Sequence, residues 1–176
     1  MLAETIGERR VAALLKGNYA VVQAEQAVQI GTDTFEGRRL LDAALDTALQ
    51  NFQTSEQTGL LYMRFDSHRC LAEVYLRRGE LEDAERICAA AAAIVSGTES
   101  RVSRLWLGPI YLDVLLAVAQ RLENEQRPVE AEEKRQHARE LLGRYQQLVA
   151  KCQSPRFTRE AERLARELAV ESVPSA

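Results

Sequence analysis

Five consecutive residues, Asp66-Ser67-His68-Arg69-Cys70, carry an acid, a hydroxyl, an imidazole, a guanidinium and a thiol. Gathered on one surface, such groups could ligate a metal or activate a nucleophile. The surrounding sequence has helical period, however, and on a helix residues i and i+2 point about 200° apart. His68 and Cys70 therefore do not act as a pair. His68 shares a face with Phe65, Leu71 and Tyr75, the position of a core or interface histidine with a satisfied hydrogen bond.

The other reactive side chains are scattered. Cys70, Cys88, Cys152, His68 and His137 lack the close spacing of zinc ligands, so no metal site is expected. Three widely spaced cysteines do not form a disulfide framework in a chain of 176 residues, and a reducing, cytoplasmic setting follows. Cys88 falls where a thiol packs as a small hydrophobe. The run Glu130, Glu132, Glu133, Lys134 and Arg135 opens a helix, where the dipole already favours acids. A glycine-rich phosphate loop, HExxH and GxSxG are all missing from the sequence. No catalytic residue and no cofactor are expected.

The elements that would position these residues are helices. Hydrophobic residues make up 46% and charged residues 28%, with only 9 Gly and 4 Pro, which suits a globular chain rich in helix formers. The net charge of −3 lacks the clustered basic excess that nucleic acid attracts. Arg156, Arg159, Arg163 and Arg166 alternate with Glu160, Glu162 and Glu167 as on a solvated helix face. The apolar stretch Leu105 to Ala119 is short for a membrane span, contains Asp113 and is interrupted by Gly108-Pro109. It reads as a helix buried on most sides, and no membrane insertion is expected. The first ten residues do not read as a signal peptide.

Leu81, Ala84, Ile87, Cys88, Ala91, Ile94 and Val95 mark one stripe of a helix over Glu80 to Ser96, stopped by Gly97. A preceding helix over Leu60 to Arg78 ends at Gly79, so the two form a tight antiparallel hairpin. Leu40, Leu41, Ala44, Leu45, Ala48, Leu49 and Phe52 give another helix. Pro128 opens one whose apolar face includes Ala131, Ala138, Leu142, Tyr145, Val149 and Cys152. Ser154-Pro155 starts a last helix with Phe157, Ala161, Leu164 and Leu168 inward. Residues 3–30 are helical, with Gly17-Asn18 leaving one helix or two open. The tail 172–176 is expected to fray.

The segment from Leu71 to Ala84 has Leu71, Ala72, Tyr75, Gly79 and Ala84, followed by Ala91, at the positions where helix hairpins cross closely. This pattern resembles the tetratricopeptide-repeat family, in a divergent long-repeat form like that of bacterial signalling proteins. Leu41, Ala44 and Ala48 echo it upstream, and Leu107-Gly108 and Tyr111 echo it downstream. Arg135 departs from the pattern, standing where an apolar residue belongs. The resemblance implies an all-α fold of antiparallel helix hairpins stacked as a short α-solenoid. One domain is expected over 1–171, with its best repeat at 60–96, weaker units at 1–59 and 99–152, and a capping helix at 155–171.

In that family the first helices of successive repeats line a concave surface. The resemblance places Asp66, Arg69, Glu73, Leu76 and Arg77 there, with Leu112, Asp113 and Leu116 extending the groove from the next first helix. The lysines and asparagines that clamp a peptide carboxylate in some members are not matched. The implied function is a non-enzymatic adaptor that binds a peptide or helix of another protein. A regulatory sensor for a small molecule is the alternative, favoured by a deep pocket near Trp106, Tyr111 and Tyr145. A stack exposes apolar faces at its ends unless capped, so a homodimer through the N-terminal helices is also expected.

Overall fold

The computed structural model describes residues 2–98 and 100–170, and every regular element among them is an α-helix. They are α1 (Leu2–Ile30), α2 (Phe35–Thr58), α3 (Leu61–Arg78), α4 (Leu81–Ser96), α5 (Arg101–Asn124), α6 (Pro128–Cys152) and α7 (Pro155–Val170). The tail 172–176 lies outside the described residues. Where the sequence reads as one domain over 1–171, the helices group into two compact units, Met1–Thr98 and Glu99–Ala176.

In the first unit α1 packs on α2 and α3 on α4, and α3 also packs against both α1 and α2. Short connections make successive helices antiparallel. Between α3 and α4 the turn is Gly79-Glu80, with Gly79 left-handed at φ 76° and its N–H reaching the Leu76 carbonyl. Thr34 caps α2 by accepting from the Gly37 N–H at 3.0 Å. Gly17-Asn18 does not divide the first helix: α1 is continuous over 29 residues.

The inward faces follow one rule. In α1 the buried positions are Ala13, Gly17, Ala20, Ala24 and Ala27. In α2 they are Gly37, Leu41, Ala44, Ala48, Asn51 and Ser55. Both step alternately by four and three residues, the 3.5-residue seam of helices that wrap along one another. Most of these side chains are small, so the backbones approach closely. In α4, Leu81, Ala84, Cys88, Ala91 and Val95 repeat the spacing. Within the first unit α3 is buried on several sides, because α1, α2 and α4 pack against it.

The second unit packs α5 on α6, with α7 against both. Ser100 caps α5 by accepting from the Ser103 N–H. Gly108-Pro109 does not interrupt α5, which runs through Pro109 and forgoes one internal hydrogen bond there. Position 108 has no room for a side chain: a Cβ there would lie 2.5 Å from the Tyr145 ring of α6. The seam of α6 is Ala131, Arg135, Ala138, Leu142, Tyr145 and Val149. Arg135 is buried in it and reaches Glu123 of α5 at 2.7 Å, which explains a charge at an apolar position. Cys152, read as part of this apolar face, is instead exposed. By length and composition α5 could cross a membrane, but 61% of its apolar window is buried inside the protein.

Candidate functional site

The ridge Asp66, Arg69, Glu73 and Arg77 runs along α3 as the i,i+3 and i,i+4 spacing requires. Its ion pairs are Arg69–Asp66 at 3.0 Å, Arg69–Glu73 at 3.5 Å and Arg77–Glu73 at 3.8 Å. An exposed ridge was expected, and here the structure differs. Asp66 and Arg69 are buried, Glu73 and Leu76 are half-buried, and only the Arg77 end reaches substantially into solvent. The cause is α1. Its Asn18 Oδ1 accepts a hydrogen bond from Arg69 Nη2 at 3.2 Å.

This contact lies at a junction of three helices. A Cβ on Gly17 of α1 would stand 2.9 Å from Cys70 Sγ on α3 and 3.0 Å from Asn51 Nδ2 on α2. Asn51 Oδ1 is buried there with no hydrogen-bond partner in the protein. Burial opposes the Arg69 charge, but Cys70, Asp66 and Glu73 around it raise its pKa above the ordinary value. Burial pushes the Cys70 thiol up to about 12, although Arg69 pulls the other way. Cys88 is likewise pushed up to about 12 by burial. Both thiols therefore stay protonated at neutral pH and act as packing groups. His68 takes the place the sequence gives it: it is buried, with Nδ1 2.7 Å from the Arg64 carbonyl and its ring 4.7 Å from that of Phe52.

The second part of the expected groove lies in the other unit. Leu112 and Leu116 are core side chains, so they offer no apolar contact at a surface. Asp113 is half-buried and accepts from Arg163 Nη2 of α7 at 2.9 and 3.1 Å. Burial raises its pKa above the ordinary 3.8, against the pull of Arg163. Arg163 also reaches Glu160 and Glu167, so this cluster pins α7 to α5. Tyr111 and Tyr145 are buried, Tyr111 edge-on to His137 and Tyr145 against Gly108. Trp106 reaches the surface, with Phe157 edge-on at 5.7 Å and the Arg156 guanidinium 4.3 Å from its ring. Among the described residues no three His, Cys, Asp or Glu side chains gather to hold a metal ion.

The most unusual surface is the outer face of α1. Among its described side chains the buried ones are alanines and a glycine, Leu14 and Val21 are half-buried, and several large apolar ones point outward. Val11, Leu15, Tyr19 and Val22 are 56%, 64%, 59% and 46% exposed. Their spacing of four, four and three puts them on one stripe. Ile30, 49% exposed, continues this side of the helix toward its C-terminal end. The same spacing is present in the sequence, but without knowing which side of α1 packs inward it reads as a core stripe. Comparison with protein families, with curated proteins and with solved structures finds no match.

Proposed function

We propose that this chain is a non-enzymatic interaction module whose docking surface is the outer face of α1. The observation that carries the reading is the inversion on that helix: small residues inside, Leu15 and Tyr19 outside. Large apolar side chains aligned along a helix mark a recognition surface more often than scattered ones do. A helical or extended segment of another protein fits such a stripe, with anchors at three- and four-residue intervals. The resemblance of residues 60–96 to tetratricopeptide repeats supports the same class of function, since such repeats present helix faces to partner proteins. The α3 ridge is the weaker choice of surface, because Asp66 and Arg69 are already buried, Arg69 against Asn18 of α1. A reducing, cytoplasmic setting suits the buried free thiols of Cys70 and Cys88.

The test is capture of binding partners by the wild type and by a Leu15→Glu, Tyr19→Glu double variant. Both positions are exposed, so the variant keeps its fold, which circular dichroism checks. A partner held by the wild type and lost by the variant supports the reading. Identical capture by both removes α1 as the docking surface.

A further inference from the structure

The reading of α1 as a docking face leaves its occupant unnamed. Resting on that reading, we infer that the occupant is a second copy of this chain, with two α1 helices packed antiparallel about a two-fold axis near residue 17.

Three observations favour this partner. The first is the register of the stripe. Residue numbers that face one another across such an axis add up to about 34. Leu15 then meets Tyr19 of the second copy, and Val22 meets Ala12, whose small side chain leaves room for it. Val11 falls within one residue of the second Val22. One stripe thus supplies both halves of a continuous apolar seam, as a two-fold interface requires. The second is charge. A parallel, in-register pair would set Glu8, Lys16 and Glu25 each against its own copy. The antiparallel pair moves Glu8 and Glu25 away from their own copies, setting Glu8 against Gln26, and leaves only Lys16, beside the axis, near its like.

The third is area. At 1.5 Å per residue the 29 residues of α1 extend about 43 Å. Half the circumference of a helix 10–12 Å across is roughly 17 Å. Over Val11 to Ile30, where the side chains are described, the outer half of α1 offers on the order of 500 Å² per copy, about 1,000 Å² for the pair, at the lower end of specific interfaces. Seating a second copy there covers the apolar side chains that the fold of one chain leaves in water.

Sedimentation equilibrium of the full 176-residue chain over a wide concentration range tests the dimer. The wild type is expected to dimerise. The Leu15→Glu, Tyr19→Glu variant is expected to stay monomeric at concentrations where a Val129→Glu control, altered at an exposed site on α6, still dimerises. Orientation is tested by cysteine cross-linking in a Cys152→Ser background, which removes the exposed thiol. A mixture of Val11→Cys and Val22→Cys chains is expected to form the mixed disulfide dimer, with little dimer from Val11→Cys alone. Dimer from Val11→Cys alone, without the mixed product, overturns the antiparallel arrangement. A monomeric wild type at every concentration, or a dimer indifferent to the glutamates, overturns the second copy as occupant. In that event, a different protein lost from the variant in the capture experiment preserves the docking face; if capture is also unchanged, both readings fall.

Discussion

Asn18 of α1 and Arg69 of α3, fifty-one positions apart, are joined by a 3.2 Å hydrogen bond inside the first unit. The bond completes the coordination of a buried cation already paired with Asp66 and Glu73. Removing one partner of a buried pair leaves the other charge desolvated and unpaired, which typically costs 3–5 kcal/mol. Arg69→Ala is therefore expected to destabilise the chain by about 3 kcal/mol in urea unfolding. Arg77→Ala, at the solvent end of the same ridge, is expected to cost about 0–1 kcal/mol. Equal costs at the two positions would contradict the enclosure of Arg69 by α1.

The contact of Gly17 with Cys70 gives a second prediction. Alanine is the better helix former by about 1 kcal/mol, so on propensity alone Gly17→Ala stabilises α1. The added Cβ, however, would come within 2.9 Å of Cys70 Sγ and 3.0 Å of Asn51 Nδ2, both buried. We expect Gly17→Ala to destabilise by roughly 1–3 kcal/mol through overpacking. In a Cys70→Ala background much of that cost should vanish, because the closest opposing atom is gone. A double-mutant cycle with no coupling would show that the three helices do not meet at this point.

Much of the helical layout is legible in the sequence, and the reason is local. Gly79, Pro128 and Pro155 punctuate the chain, and Leu81, Ala84, Cys88 and Ala91 set one clear period. These signals act within a few residues. The site is less legible because the burial of Asp66 and Arg69 depends on helices packed around α3, among them α1, far away in sequence. Its described buried positions are all Ala and Gly, which carry little hydrophobic contrast, while Val11, Leu15, Tyr19 and Val22 point away from the fold. A reading by hydrophobicity turns that helix inside out. The seam Ala13, Gly17, Ala20, Ala24 and Ala27 is nevertheless written in the sequence, as a 3.5-residue repeat of small side chains. Gly108-Pro109 misled for a related reason: the dipeptide often breaks helices, but packing of the Tyr145 ring on Gly108 accommodates it within α5.

Asp113 supplies a prediction in pH. Burial raises its folded-state pKa above 3.8, so the folded chain holds this proton more tightly than the unfolded chain does. Its contribution to stability is fully present below the ordinary value and is lost as the pH rises through the folded value. Glu36 and Glu130 have the opposite sign: side-chain hydrogen bonds from Arg39 and Arg127 lower their values, and their contribution is lost on acidification. Asp113→Asn is expected to remove only the first component. The difference between wild-type and variant stability, followed by urea unfolding from about pH 3 to 6, should therefore fall as the pH rises. At neutral pH the substitution should cost within about 1 kcal/mol, because Arg163 keeps Glu160 and Glu167. A difference that grows with pH would mean that Arg163, not burial, dominates at this carboxyl.

The ring of Tyr145 and its hydroxyl contribute with opposite signs. The ring is enclosed against Gly108 and fills the seam between α5 and α6, so Tyr145→Ala is expected to cost about 3–5 kcal/mol. The hydroxyl is buried with no hydrogen-bond partner in the protein, and burial pushes its pKa up to about 12. A hydroxyl that exchanges water for nothing costs free energy on folding. Tyr145→Phe keeps the ring and removes that cost, so it should leave stability unchanged or raise it by up to about 1 kcal/mol. Thermal unfolding of the two variants separates the terms: a higher midpoint for phenylalanine, a large drop for alanine. A phenylalanine variant clearly less stable than the wild type would show that the hydroxyl is satisfied in solution, and the enclosure of Tyr145 would have to admit a polar partner.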